Sequence, residues 1–184
     1  MKVQTYSSIA RIFHWVSAAL MFAVVPIAWY MGVLARNDPS KGTWITVHKS
    51  IGITILFLTL LRIAHRMTNR APDLPNGFSS LERLAAHSAH FLLYFTLFAM
   101  PLTGYLMSDL GGHPFNWFGL FQVPQLLTVD KASSSFFHNL HKIGQWVVYT
   151  VVTIHLLAVI KHVRNGDGIF ERMWPNRPGH SQNR

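Results

Sequence analysis

The sequence predicts an all-α integral membrane protein, a four-helix bundle with both termini on the cytoplasmic side. Three observations lead there. Half of the 184 residues are hydrophobic and only 12% are charged, against roughly 25% charged in soluble domains. The apolar residues gather into four blocks, near Ile12 to Leu34, Ile45 to Ala64, His87 to Met107 and Leu140 to His162, each long enough for a hydrocarbon core of about 30 Å. The basic residues then set the direction. Lys2, Arg11, Arg62, Arg66, Arg70, Arg83, Lys161, Arg164, Arg172, Arg177 and Arg184 fall on one side, against Arg36, Lys41, Lys49, Lys131 and Lys142 on the other. By the positive-inside rule the richer side is cytoplasmic.

Composition excludes several chemistries. There is no cysteine, so disulfides, iron-sulfur clusters and thiolate haem ligation are ruled out. The formal charge of +9 sits at helix ends and forms no separate basic domain, so nucleic acid is not an expected partner. The first block is too long for the apolar core of a secretory signal, and no small-residue cleavage site follows it. Residues 1–175 read as one four-span domain, and 176–184 as a polar, disordered tail.

Each element has its own signals. Ser7 and Ser8 can cap a first helix that starts ahead of the apolar run, which places His14 nearly two turns in. Trp15 then marks the inner interface, and Trp29 and Tyr30 the outer one. Asn37, Asp38, Pro39 and Gly42 turn the chain back. The second span opens with His48-Lys49-Ser50-Ile51-Gly52, echoed by His141-Lys142-Ile143-Gly144 in the fourth. In both, a glycine three or four positions on shares the histidine's helical face, where a missing side chain gives clearance for a flat macrocycle or for a neighbouring helix.

The inner connection holds Pro72, Pro75 and Gly77 and ends in Ser79-Ser80-Leu81-Glu82, a capping-box pattern. The third span carries His87 and His90, then Pro101 and Gly104, a pair expected to kink its outer half. The longest loop, Ser108 to Phe137, alternates Gly111, Gly112, Pro114 and Pro124 with Phe115, Trp117, Phe118 and Phe121, and reads as a lid on the membrane surface.

The fourth span organises the rest. His141 and His155 stand fourteen positions apart, about 21 Å along a helix axis and within about 40° of one face. Ionisable side chains inside a bilayer are costly and mark function. Two imidazoles at two depths suit axial ligation of two stacked haems. With alternating spans, His14 shares the inner depth with His155, and His48 shares the outer depth with His141. Each iron would then be bis-imidazole ligated, with no open position, as electron transfer prefers. His138 lies about 100° off His155 on the wheel and fits this stripe less well. His87 and His90 are candidates for propionate or quinone contacts, for replacing an inner ligand, or for polar packing between helices. His162, two turns beyond His155, is a candidate for a propionate or quinone contact, or is simply an interfacial histidine. His65, His113 and His180 read as loop or interface residues.

At these residues the chain resembles the bacterial cytochrome b561 family, four-helix di-haem proteins of the inner membrane. The resemblance rests on His14-Trp15, on His48 with Gly52, and on Arg62. It continues through Ala86-His87 to His90, Pro101 and Gly104, then His141 with His155, and past His162 into Asp167 through Met173-Trp174-Pro175. It implies that His14, His48, His141 and His155 ligate two haem b, in agreement with the depth argument. It further implies a multi-pass protein in the bacterial inner membrane that passes electrons from a periplasmic donor, a small reductant or a redox protein, to membrane quinone.

Some members of the family are superoxide oxidases that reduce ubiquinone, which would make this chain a superoxide:ubiquinone oxidoreductase. Lys49 and Lys142 beside the outer ligands are candidates for steering such an anion, or for snorkelling to lipid phosphates. His162, His87 and Arg62, with Ser8 or Arg11 nearby, are the candidates for the quinone site. Two other readings compete. One is a cytochrome b subunit serving a periplasmic dehydrogenase or hydrogenase. The other is a haem-free transporter that relays protons through histidines.

Overall fold

A computed structural model of the chain describes residues 5–69, 71–73 and 77–174. Lys2, Arg70, Pro75, Pro175, Arg177, His180, Arg184 and the 176–184 tail lie outside the described residues. Four helices are long and apolar enough to cross a membrane: α1 (Ser8–Val33), α2 (Lys41–Thr68), α3 (Ser80–Leu110) and α4 (Lys131–Asn165). A two-stranded antiparallel hairpin, β1 (Asn116–Trp117) and β2 (Phe121–Gln122), sits between α3 and α4, and a short 3₁₀ turn, Phe170–Arg172, follows α4.

Local chemistry sets the helix ends. Ser7 caps α1 by accepting a bond from the Ala10 N–H at 3.2 Å. Ser79 and Glu82 close the capping box at the start of α3, with Ser79 N–H donating to Glu82 Oε2 at 2.9 Å and Glu82 N–H to Ser79 Oγ at 3.2 Å. The loop expected to reach Phe137 instead ends at Asp130, whose carboxylate accepts from the N–H groups of Ala132 and Ser133. A capped Asp outweighs the absence of apolar periodicity in that first turn. At the other end of α4, Gly166 adopts the left-handed conformation (φ 61°) that a helix stop favours.

α1 packs on α2, α2 on α3 and α3 on α4. α4 makes no comparable backbone approach to α1 or α2 among the described residues. The bundle is thus an arc whose two ends leave a gap between α4 and the α1–α2 pair. Its apolar core is small, built on Ile51, Ile55 and Leu97 with Leu20, Met21, Val24, Ile27 and Val47 around them. Among the described residues the largest fully buried side chains are Ser17, Ser50 and Thr59. Each returns its hydroxyl to the carbonyl four residues earlier, at 2.7 to 2.8 Å, which satisfies it and lets backbones come close.

α3 runs through Pro101 to Leu110 as continuous helix. Pro101 has no N–H for the Leu97 carbonyl, and Thr59 Oγ1 of α2 stands 3.5 Å from that oxygen. The Thr59 proton is already given to the Ile55 carbonyl at 2.7 Å, so the neighbouring helix sets a hydroxyl beside the freed carbonyl without replacing the missing bond.

The outer loop folds down onto α2 and α3. Trp117 Nε1 donates to Thr54 Oγ1 at 3.1 Å and Phe118 N–H to Ser50 Oγ at 2.9 Å. Buried Asp109 accepts from the N–H groups of Leu126 and Leu127. At the inner end the segment after α4 ties several elements together. Tyr6 N–H donates to the Arg172 carbonyl at 3.1 Å, Arg172 to the Asp73 carbonyl at 2.7 Å, and Trp15 Nε1 to the Met173 carbonyl at 2.8 Å.

Candidate functional site

Two pairs of imidazoles face each other across the gap. His14 of α1 and His155 of α4 have ring centres 6.4 Å apart, with planes at 65°. His48 of α2 and His141 of α4 have ring centres 6.3 Å apart, with planes at 84°. An imidazole nitrogen meets a first-row metal at about 2 Å, and its ring centre lies about 1.1 Å behind it, so two rings on opposite sides of one iron have centres about 6 Å apart. Both pairs have that separation. The helices bearing them do not close on one another, so the gap also suits a flat macrocycle. The residues present therefore fit bis-imidazole haem ligation.

One ring of the outer pair, His141, is held from behind. His141 Nδ1 donates to the Met100 carbonyl of α3 at 3.0 Å, and the Thr103 hydroxyl lies 3.1 Å away. That hydroxyl itself donates to the same carbonyl at 2.9 Å. With Nδ1 carrying the proton, Nε2 keeps its lone pair for a metal. Gly104 makes room for the ring, because a Cβ there would stand 3.2 Å from His141 Cε1. His48 Nδ1 is buried without a hydrogen bond of ordinary geometry; the Val24 carbonyl stands close enough to act on it without closing such a bond.

The two paired glycines differ. A Cβ at Gly52 would meet nothing within 4 Å, whereas at Gly144 it would stand 2.5 Å from Met100 Sδ. Gly52 opens on space, and Gly144 admits the Met100 side chain between α3 and α4.

The two lysines also differ. Lys49 donates to Ser108 Oγ at 2.7 Å and to the His113 carbonyl at 3.2 Å, and lies over the Phe115 ring. Its ammonium is spent on holding the outer loop. Lys142 is exposed, with no hydrogen bond or ion pair among the described residues.

The inner pair stands among charges. Arg62 and His90 lie within electrostatic reach of His14, and His90 within reach of His155 and Arg66. Arg62 also sits over the Tyr94 ring at 5.1 Å. His14 packs edge-on against Trp15, with ring centres 5.4 Å apart. His87 bonds the Arg83 carbonyl of its own helix at 2.6 Å and lines an open groove with Ser88, Phe91 and Leu92. Arg11 reaches Ser8 Oγ and the Trp174 carbonyl, which puts the Ser8–Arg11 corner next to the terminal strap. His162 bonds Asp167 at 2.5 Å and stacks on Phe78, with ring centres 6.0 Å apart.

Of the remaining described histidines, His138 is exposed and joins neither pair. His65 lies 3.3 Å from the Ser7 hydroxyl at the inner end, and His113 contributes its carbonyl to the outer loop.

Sequence reasoning missed three groups. The Met100 carbonyl and Thr103 behind His141 carry a weak signal, a hydroxyl residue flanked by Pro101 and Gly104. The Trp29–Tyr149 bond, 2.5 Å from Nε1 to Oη, bridges α1 and α4 and had no signal beyond two aromatics. The pairing of Asp167 with His162 was foreshadowed only by a carboxylate just past a helix-ending glycine.

A profile of the prokaryotic cytochrome b561 family matches residues 5–176. Cytochrome b561 homolog 2 of Escherichia coli (strain K12) is 32% identical over 159 residues, 86% of this chain and 85% of that protein. A protein of Yersinia pestis named "Probable superoxide oxidase CybB" is 27% identical, over 95% of this chain and 98% of its own length. Cytochrome b561 homolog 1 of Escherichia coli (strain K12) is 24% identical, over 89% and 93%.

Proposed function

The chain belongs to the prokaryotic cytochrome b561 family, membrane electron-transfer proteins that bind haem b, and is a multi-pass protein of the bacterial inner membrane; from that premise we propose that it holds two b haems and passes electrons from a periplasmic donor to membrane quinone. The observation that carries this reading is the pair of facing imidazoles at each of two depths, 6.4 Å and 6.3 Å between ring centres.

Bound haem b supplies a reversible one-electron couple, while the protein sets its binding, orientation and potential. In this reading His14 and His155 would hold the inner haem, and His48 and His141 the outer one. Gly52 provides clearance beside the outer site, whereas Gly144 gives its space to Met100 and serves the α3–α4 packing behind His141. The excess of basic residues at the α2–α3 connection and after α4 supports a reading with both termini in the cytoplasm. His48 and His141 therefore lie on the periplasmic side. Arg62 and His90 supply positive and donor groups for propionates at the inner site. His87 and His162, with Ser8 and Arg11 at the strap, are the inner groups available to a quinone head.

Superoxide is the donor to test first, because one relative carries that activity in its name. Lys142 presents the exposed cation for attracting such an anion; Lys49 acts through the loop it fastens.

The test is the visible spectrum and haem-to-protein ratio of detergent-purified protein, wild type beside His48→Ala and His155→Ala. This is followed by quinol formation on addition of superoxide. Two haems per chain with reduced b-type bands, one haem in each variant, and quinol formed are the expected results. A colourless protein rejects the di-haem reading. A di-haem protein that superoxide cannot reduce removes superoxide and moves the donor to a docked redox protein.

A further inference from the structure

The inner end of α4 holds a carboxylate–imidazole pair that ligates nothing in the two facing pairs. His162 Nδ1 and Asp167 Oδ2 are 2.5 Å apart. Gly166 ends the helix in the left-handed conformation, which folds Asp167 back toward the helix it follows. The second oxygen of Asp167 accepts the Ile169 N–H at 3.1 Å, so the carboxylate is itself fixed. Phe78, from the connection ahead of α3, stacks on the imidazole with planes 26° apart. The ring is thus held in plane by a carboxylate and across its face by an aromatic, and its Nε2 has no hydrogen bond among the described residues.

Position gives this pair a task. His162 lies seven residues beyond His155, about 10 Å along the axis and within about 20° of the same face. A quinone head between the inner histidine pair and the cytoplasm would lie within reach of it. Reduction of a quinone to a quinol takes two electrons and two protons. With a one-electron donor such as superoxide, two superoxide anions, one quinone and two protons give two dioxygen and one quinol. The protons need a donor at the quinone oxygen, and a route to refill it from the cytoplasmic side.

We infer that His162 and Asp167 form the proton-delivery pair for quinone reduction, with His162 as the donor and Asp167 as the residue that positions it. The inference rests on the quinone reading above. In each delivery the Nε2–H bond of the protonated ring breaks and an O–H bond forms on the reduced quinone. The neutral ring keeps its remaining proton on Nδ1 toward Asp167, and a proton from the cytoplasmic water re-forms Nε2–H. Two such cycles complete one quinol. A carboxylate behind the ring imposes the Nδ1–H tautomer and stabilises the imidazolium, as it does behind other acid–base imidazoles. Lys161 on α4 and Glu82 on α3 are the other charges acting within this corner. Glu171 and Arg172 stand on the 3₁₀ turn packed against α4, with Arg172 turned to Asp73.

The experiment compares the haem-loaded wild type with Asp167→Asn, Asp167→Glu and His162→Gln by two readouts. One is nitrogen NMR of the His162 ring in the full-length protein, which reports the tautomer without any turnover. The other is the rate of quinol formation normalised to haem content. The neutral wild-type ring is expected as the Nδ1–H tautomer. Asp167→Asn is expected to mix the tautomers and slow quinol formation about 10-fold to 100-fold, a range typical of loss of a positioned acid or base. His162→Gln should be at least as slow, and Asp167→Glu should recover part of the rate. A wild-type ring protonated on Nε2, or quinol formation at the wild-type rate in Asp167→Asn or His162→Gln, overturns the inference. The wild-type spectrum decides even if a variant fails to fold. No quinol from the wild type, with the Nδ1–H tautomer intact, counts against the quinone reading instead.

Discussion

The outer and inner histidine pairs have nearly the same ring separation but are built differently. Behind His141 stand a backbone carbonyl, a threonine hydroxyl and a glycine, all from α3. The packed α3–α4 contact orients that ring before any cofactor arrives. His14 and His155 have no such bond among the described residues; they are brought level by α1 and α4, whose backbones make no close approach. At that end the strap after α4 reaches the N-terminal residues and α1 through Arg172, Met173 and Trp174. One pair has a ring preset by helix packing, and the other stands beside a closure at the end of the bundle. The lesson is that equal ring distances conceal unequal preorganisation.

The comparison can be broken most severely by removing ligands. His141→Ala and His14→Ala should each lower haem content from two to one per chain, with different residual spectra. Equal spectra would mean that the two sites are not independent.

A substitution that spares the ligands is more selective. Gly104→Val should evict the outer haem and leave the inner one, because even the first added carbon would stand 3.2 Å from His141 Cε1. Retention of two haems would show that the ring has room to yield.

Smaller effects sharpen the contrast. Thr103→Val removes one polar neighbour of His141 and should weaken outer haem retention by about 1 kcal/mol, the usual net worth of one hydrogen bond. Trp15→Phe deletes the bond to the Met173 carbonyl and should cost about 1 kcal/mol at the inner end alone. Haem-transfer rates at the two sites measure both. A Thr103→Val protein whose inner haem leaves faster would invert the assignment.

The smallest effect is a pH dependence of the inner closure. Burial pushes the Asp167 carboxyl up, but the bonds from His162 and the Ile169 N–H outweigh it and hold it below the usual carboxylate range. A group depressed in the folded state contributes stability above its unfolded value and loses it as pH falls through the folded one. Acidification below the usual carboxylate range should therefore loosen the segment after α4. Hydrogen exchange at Ile169 reads this, and Asp167→Asn should abolish the dependence. Asp130, held low by Ser133 at the start of α4, should give the matching loss at the outer end.

Much of this architecture was written in the chain. Four apolar blocks, Ser7 and the Ser79–Glu82 box dictated four spans and two of their starts, because length in a bilayer and N-cap chemistry are local. The matching of His14 with His155 and His48 with His141 followed from counting residues along antiparallel helices, since rise per residue is constant. Asp130 shows the limit of periodicity, as it starts α4 well ahead of the apolar run. Two further features depended on contacts distant in sequence, and only the tertiary structure decided them. Lys49 reads as a cation that steers an anion or snorkels to lipid phosphates, yet its partners lie on Ser108 and His113. Gly52 and Gly144 read as equivalents, yet one faces space and the other Met100. A sequence specifies which face of a helix a residue occupies; what stands opposite depends on how neighbouring helices pack, and here, among the described residues, α3 is the spanning helix whose backbone comes close to α4.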